Sequence, residues 1–119
     1  MSHGEQRQLE IAMTLATQPQ VLLLDEPLAG MGMGMGMGMG AAEAEAEAER
    51  MIGLLGRLRK EHAILLVEHD MDAVFSLADR LTVMVNGQVI ANGAPAAVRA
   101  DAAVQAACLG DPADGERAR

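Results

Sequence analysis

Three short stretches of this chain carry side chains that could do chemistry. Val21-Leu22-Leu23-Leu24 runs directly into Asp25-Glu26-Pro27, so two adjacent carboxylates close an apolar segment. Ala63-Ile64-Leu65-Leu66-Val67 runs in the same way into Glu68-His69-Asp70. Ser2-His3-Gly4-Glu5-Gln6 sets a hydroxyl, an imidazole and a carboxylate close together. A carboxylate pair can hold a divalent cation or take a proton from water, and an imidazole is an acid, base or hydrogen-bond partner near neutral pH. The plainer reading is a core strand followed by solvated acids, a polar loop histidine and an ordinary helix cap. The flanking elements decide between the two.

The apolar runs are short. The first is bounded by Gln18-Pro19-Gln20 and Pro27, which predicts a strand buried on both faces of a parallel sheet. Ala63–Val67 predicts a second such strand. Ligands of open α/β sheets bind outside the carboxyl ends of the strands, where Asp25, Glu26 and His69 stand. Ser2, with Glu5 three residues on, forms a capping box for a helix carrying Leu9, Ala12, Met13 and Ala16, which Gln18-Pro19 ends. The start of that helix offers unpaired N–H groups and a positive dipole to a phosphate, and Ser2 adds a hydroxyl.

Residues 31–40 are five Met-Gly pairs, and Glu alternates with Ala over 43–49. Glycine at every second position is costly in helix or strand, so Met31 to Gly40 is expected to be a flexible loop. A methionine-rich run could also be a copper or promiscuous apolar surface, but its spacing reads as repeat expansion. The Ala/Glu stretch is expected to be helical despite like-charged neighbours at Glu43/Glu47 and Glu45/Glu49. It should continue through a buried stripe of Met51, Ile52, Leu54, Leu55 and Leu58. Asp70 or Asp72 can cap a short helix, and Asn86-Gly87 between β-rich runs predicts a hairpin. An Ala-rich tail suggests one or two further helices before Asp111. The close, 111–119, is expected to fray, and His62 to be solvated.

Composition narrows the classes. Half of the 119 residues are apolar and Phe75 is the single aromatic residue, so a core must be built from Leu, Val, Ile, Met and Ala. The formal net charge of −8 argues against nucleic-acid binding and against adhesion to anionic lipid. The single cysteine, Cys108, excludes an intrachain disulfide and fits a reducing cytosol. No apolar run approaches membrane-spanning length. The expectation is a cytoplasmic chain, linked to the inner face of a membrane only through a partner.

The order of motifs resembles the ABC-type ATPases, and within them the branched-chain amino-acid import ATPases. Ser2-His3-Gly4-Glu5-Gln6 stands where that family's signature opens a helix, with His3 at the first glycine position and Met1 at the leucine. Val21–Pro27 resembles its Walker B strand, and Leu28-Ala29-Gly30 its D-loop without the usual aspartate. Glu68-His69-Asp70-Met71 resembles the H-loop. Ala78-Asp79-Arg80, Asn86–Ile90, Gly93-Ala94-Pro95 and Val104 to Cys108-Leu109-Gly110 follow in the family's order. The resemblance covers nearly everything outside 31–49. It implies that Asp25 anchors Mg2+, Glu26 acts as base toward the attacking water, and His69 contacts the γ-phosphate of ATP. It also implies that Ser2 to Gln6 clasp ATP held by a second ATPase subunit, that Leu28–Gly30 couple the two sites of a dimer, and that permease subunits are partners.

No Gly-x-x-x-x-Gly-Lys-Ser/Thr occurs in the sequence, so no Walker A loop cradles phosphate. The Q-loop and the adenine-stacking aromatic residue of the family are absent too. The fold expected is α/β, a partial P-loop NTPase sheet with flanking helices and a C-terminal β-hairpin. It would occupy 1–110 as the C-terminal part of a nucleotide-binding domain, with an insertion at 31–49. Such a sheet would expose an edge, and the chain would not hold Mg-ATP by itself in the family's manner. The rival reading is a non-catalytic interaction fragment or truncated product that pairs with an intact ATPase. A third, a DNA-repair ATPase of the same superfamily, sits poorly with the acidic charge and the importer-like tail.

Overall fold

In a computed structural model of the chain, residues 3–31 and 41–109 are described. They fall into two compact units that divide after His69, and each unit is taken by itself.

The first unit contains α1 (His3–Leu15), β1 (Val21–Asp25), α2 (Ala41–Leu58) and β2 (Ala63–Val67). Helix α1 ends as its last turn tightens, with Gln18 N–H donating to Leu15 O at 2.9 Å. Gln18 then takes a left-handed φ of 55°, and Pro19 forbids continuation. The two strands lie parallel, in register from Val21↔Ala63 to Asp25↔Val67, as two short aliphatic runs joined through a helical crossover should.

The expectation of strands buried on both faces is corrected. Leu22 is 1% exposed, but its neighbour Leu23 is 73% exposed, and Val21, Leu65 and Val67 are exposed with it. Alternate side chains leave a strand on opposite faces, and burial on both needs a layer on each side. The described residues supply one.

Helix α2 forms as expected, and the Ala/Glu repeat belongs to its packed face. Ala44, Glu47, Met51 and Leu55 are the buried residues, spaced as one side of a helix. Ile52, Leu54 and Leu58 are only half-buried, so the buried stripe begins earlier than the apolar pattern suggested. Met31 is buried too, and its N–H donates to Leu28 O at 2.9 Å. The rest of the expected Met-Gly loop and the Ser2 cap lie outside the described residues. His62 is not simply solvated: it is half-buried, with Nδ1 2.9 Å from Pro19 O. Together with Ala63 N–H donating to Gln20 O at 3.1 Å, this ties the entry of β2 to the entry of β1.

The second unit begins with α3 (Met71–Leu77), capped by Asp70, whose carboxylate accepts from Ala73 N–H at 3.2 Å. Strands β3 (Leu81–Val85) and β4 (Gln88–Gly93) pair antiparallel, with an irregularity between Val83 and Met84. Asn86 and Gly87 join them with φ of 51° and 77°, the paired left-handed geometry that Asn-Gly favours in a tight hairpin. Pro95 opens α4 (Pro95–Ala100), where its missing N–H has no cost. Asp101 caps α5 (Ala102–Val104), and a π-type turn runs over Gln105–Leu109. Val83, Val98 and Val104 form this unit's core, flanked by Leu81, Ile90, Ala91 and Cys108. The expected fraying of 111–119 lies outside the described residues. Among the described residues no helix is long and apolar enough to cross a membrane.

Candidate active site at the strand ends

The β1–β2 ladder runs one residue beyond β1. Glu26 N–H donates to Val67 O at 2.7 Å, and the chain then leaves the sheet. Glu26 makes that exit with φ of 48°. A left-handed backbone is uncommon for a residue with a side chain, costs on the order of 1–3 kcal/mol, and clusters at functional sites. The turn closes with Ala29 N–H on Glu26 O at 3.0 Å, and Gly30 supplies a further positive φ of 80°. Pro27 and Leu28 pack inward.

This exit brings Glu26 to His69. Glu26 Oε1 lies 2.8 Å from His69 Nδ1, with the Glu26 side chain 47% and the His69 side chain 77% exposed. A carboxylate accepts only, so Nδ1 carries the proton in this pair, and a neutral ring has its lone pair on Nε2. The arrangement is a carboxylate and an imidazole held together in the open, able to draw a proton from water or, with the ring protonated, to donate toward an anion.

A third group backs the pair. The Glu68 side chain is 1% exposed. Its Oε2 accepts from Leu28 N–H at 3.1 Å and its Oε1 from His69 N–H at 3.0 Å. Sequence reasoning gave Glu68 no role of its own, because an acid after an apolar strand reads as solvated.

Asp25 is the last residue of β1 and is exposed. Among the described residues no group of three or more His, Cys, Asp or Glu could enclose a metal ion. A lone strand-end carboxylate still suits Mg2+, which keeps its waters and takes phosphate oxygens rather than an all-protein cage.

Of the signature stretch, His3 to Gln6 open α1. Gly4 N–H donates to Glu47 Oε2 at 3.3 Å in a buried contact, and a Cβ on Gly4 would meet Glu47 Cδ at 2.8 Å. An acid at a helix N-terminus is favourable, so the amide expected to face phosphate faces a carboxylate of α2. No sequence signal singled out Glu47, because its repeat neighbours Glu43, Glu45 and Glu49 look the same. Glu5 and Gln6 are exposed on the first turn of α1. Ser2 and the His3 side chain lie outside the described residues. Of the expected site residues, the structure joins Glu26 to His69 directly and Leu28 to His69 through Glu68. Ala29 meets Glu26 only through the turn bond from its N–H to Glu26 O.

The family model described as "ABC transporter" matches residues 1–29, and that described as "Branched-chain amino acid ATP-binding cassette transporter" matches residues 88–114. Among curated proteins, the high-affinity branched-chain amino acid transport ATP-binding protein LivG of Escherichia coli is 38% identical over 113 residues, spanning 93% of this chain and 40% of LivG. BraF of Pseudomonas aeruginosa, similarly named, is 36% identical over the same shares. Among solved structures, the ADP conformation of MJ1267, an ATP-binding cassette of an ABC transporter, superimposes with a TM-score of 0.71 at 29% identity, covering 93% of this chain and 41% of that one. CbiO1 from Clostridium perfringens, part of the ABC transporter complex cbiONQ, gives 0.68 at 30% identity, covering 99% and 43%. The chain therefore spans about two-fifths of the length of the relatives it matches.

Fold and sequence together mark a segment similar to the ATP-binding cassettes of the ABC transporter family. Within that family its similarity is to the branched-chain amino-acid cassettes, over their C-terminal part.

Proposed function

We propose that this chain provides the strand-end half of an ATPase site that powers import of branched-chain amino acids. It would act in an assembly that also provides a phosphate-cradling loop. The observation that carries the proposal is the 2.8 Å pairing of Glu26 with His69 at neighbouring strand ends, beside the exposed carboxylate of Asp25.

In this reading Asp25 would hold Mg2+, which when bound with ATP offsets charge on the phosphoryl oxygens. Glu26 orients the attacking water and takes its proton, a task worth roughly 10²–10⁴ in rate. His69 fixes the Glu26 carboxylate through Nδ1, and its Nε2 would meet the γ-phosphate. Ser2, His3, Gly4, Glu5 and Gln6 would meet the nucleotide of a second ATPase subunit, and Leu28-Ala29-Gly30 would run along that dimer contact. For the Gly4 amide to reach phosphate, Glu47 must release it. Permease subunits on the inner face of the membrane would be the remaining partners.

The test is a fusion of this chain behind a branched-chain importer segment that contributes Walker A and the Q-loop. The fusion should hydrolyse ATP, Glu26→Gln should stop turnover while an ATP-bound dimer accumulates, and His69→Ala should cut turnover with little effect on binding. An unchanged rate in Glu26→Gln would defeat the proposal. The chain by itself should show no turnover and only weak nucleotide binding. A second reading, a non-catalytic piece that pairs with an intact ATPase, draws on the exposed apolar face of Val21, Leu23, Leu65 and Val67. It predicts that the fusion binds its partner and never turns over.

A further inference from the structure

Past the last ladder bond, Glu26 N–H to Val67 O, no further backbone hydrogen bond joins the two strand exits among the described residues, and the next tie between them is a side chain. Glu68 Oε2 accepts from Leu28 N–H at 3.1 Å and Glu68 Oε1 from His69 N–H at 3.0 Å. One carboxylate thus bridges two backbone segments 40 residues apart. It does so with its side chain 1% exposed, and among the described residues no buried side-chain nitrogen or oxygen is left without a partner. Taking a carboxylate out of water is expensive unless hydrogen bonds replace the solvent, so the bridge is the condition on which Glu68 can be buried.

The anchor points matter more than the burial. Leu28 is two residues past Glu26, and the His69 amide is on the residue that carries the imidazole. Fixing these two N–H groups to the two oxygens of one rigid carboxylate sets the separation of the backbones from which Glu26 and His69 reach each other. We propose that Glu68 is a positioning residue, locking the turn after β1 and the histidine after β2 into one unit that holds the Glu26–His69 pair in register. This rests on the ATPase reading for its use, because Leu28 is then in the segment along a second subunit. A shift of that segment would be passed to His69 through Glu68.

The chemistry calls for glutamate. Each N–H here has its own oxygen, at 3.1 and 3.0 Å, and glutamine would set an NH2 group, with nothing to accept, against one of them. Aspartate is one methylene shorter and cannot span both donors from the same Cα.

The test uses the 119-residue chain without nucleotide, so its outcome is separate from that of the ATPase reading. In the unaltered chain, one opening event should expose both amides. Leu28 and His69 should therefore show hydrogen-exchange protection factors within about twofold of each other, and the ring ¹⁵N spectrum of neutral His69 should show the proton mainly on Nδ1. In Glu68→Gln at the same pH, protection at one of the two amides should fall at least tenfold. The His69 ring should shift toward the Nε2-protonated form, while Leu24 in the β1–β2 ladder keeps its protection. A merely structural role would lower overall stability without moving the tautomer. Protection factors that differ more than tenfold between Leu28 and His69 in the unaltered chain would overturn the proposal. So would a folded Glu68→Gln with the wild-type tautomer. If that variant does not fold, the exchange comparison in the unaltered chain decides alone.

Discussion

Glu26 and Glu68 stand at matching positions, each one residue past the end of neighbouring parallel strands whose last paired residues are Asp25 and Val67. Their surroundings are opposite. Glu26 leaves the sheet on a left-handed backbone, with its side chain half in solvent and bonded to an exposed imidazole. Glu68 keeps its carboxylate almost wholly buried, with both oxygens taken by main-chain N–H groups. The same functional group is presented in one place and consumed in the other. A carboxylate that must meet a ligand needs water access and a backbone that aims it. A carboxylate that holds a loop needs burial and full satisfaction, so it has nothing left to offer a ligand.

The largest expected effect would break that division if it failed. In an assembly completed with a Walker A segment, Glu26→Gln should lower turnover by about 10²–10⁴. Glu68→Gln should lower it by a smaller factor, through geometry alone. If the Glu68 variant lost the larger factor, the roles assigned to the two acids would be reversed.

Stability should run the other way. In the 119-residue chain, Glu68→Ala strands the N–H of buried Leu28, at about 1–3 kcal/mol, and leaves the exposed His69 N–H to water. Glu26→Ala, at a half-exposed position, should stay within about 0.5 kcal/mol of the parent. Denaturant midpoints at equal slope measure both. Equal losses would mean that burial does not distinguish the two acids.

How legible was this in the sequence? The elements were, because their signals are local. Two aliphatic runs gave β1 to within one residue and β2 at its observed limits, Asn86-Gly87 gave the hairpin, and Asp70 gave a cap. The meeting of Glu26 with His69 was implied only by two strand ends lying side by side. What stayed hidden depends on three-dimensional layering. Nothing in Val21–Leu24 says that Leu23 lacks a covering layer while Leu22 has one. Nothing in a uniform Ala/Glu repeat says that Glu47, rather than Glu43, turns inward onto Gly4. Glu68 was hidden for a different reason: an acid after an apolar strand reads as solvated, and only the Leu28 turn folding back over it makes burial affordable.

A smaller effect tests the other buried acid. Gly4→Ala should add helix propensity worth about 1 kcal/mol, but its Cβ would stand 2.8 Å from Glu47 Cδ. Glu47 would have to withdraw and leave the amide unpaired. The net result should be a loss of no more than about 1 kcal/mol. In a Glu47→Ala background the same change should become stabilising. A double-mutant cycle by thermal unfolding reads this sign reversal, and additive effects would mean that the Gly4–Glu47 contact does not form.

The smallest expected effect bears on why Glu26 is presented at all. Its φ of 48° is tolerated better by asparagine than by most residues with a side chain. Glu26→Asn therefore removes two things, the reach to His69 and part of the backbone cost. Glu26→Ala removes the same reach and keeps the backbone cost, so it is the proper reference. The asparagine variant should be more stable than the alanine variant by about 0.5–1 kcal/mol. Both should be inactive in the completed assembly. That combination would show that the chain carries a strained residue at this exit because the exit must aim a carboxylate, since a residue better suited to the backbone is available and fails at the chemistry. Equal stability of the two variants would mean that the left-handed turn relaxes once the Glu26–His69 contact is gone. The pairing, rather than the backbone, would then be what holds the carboxylate in place.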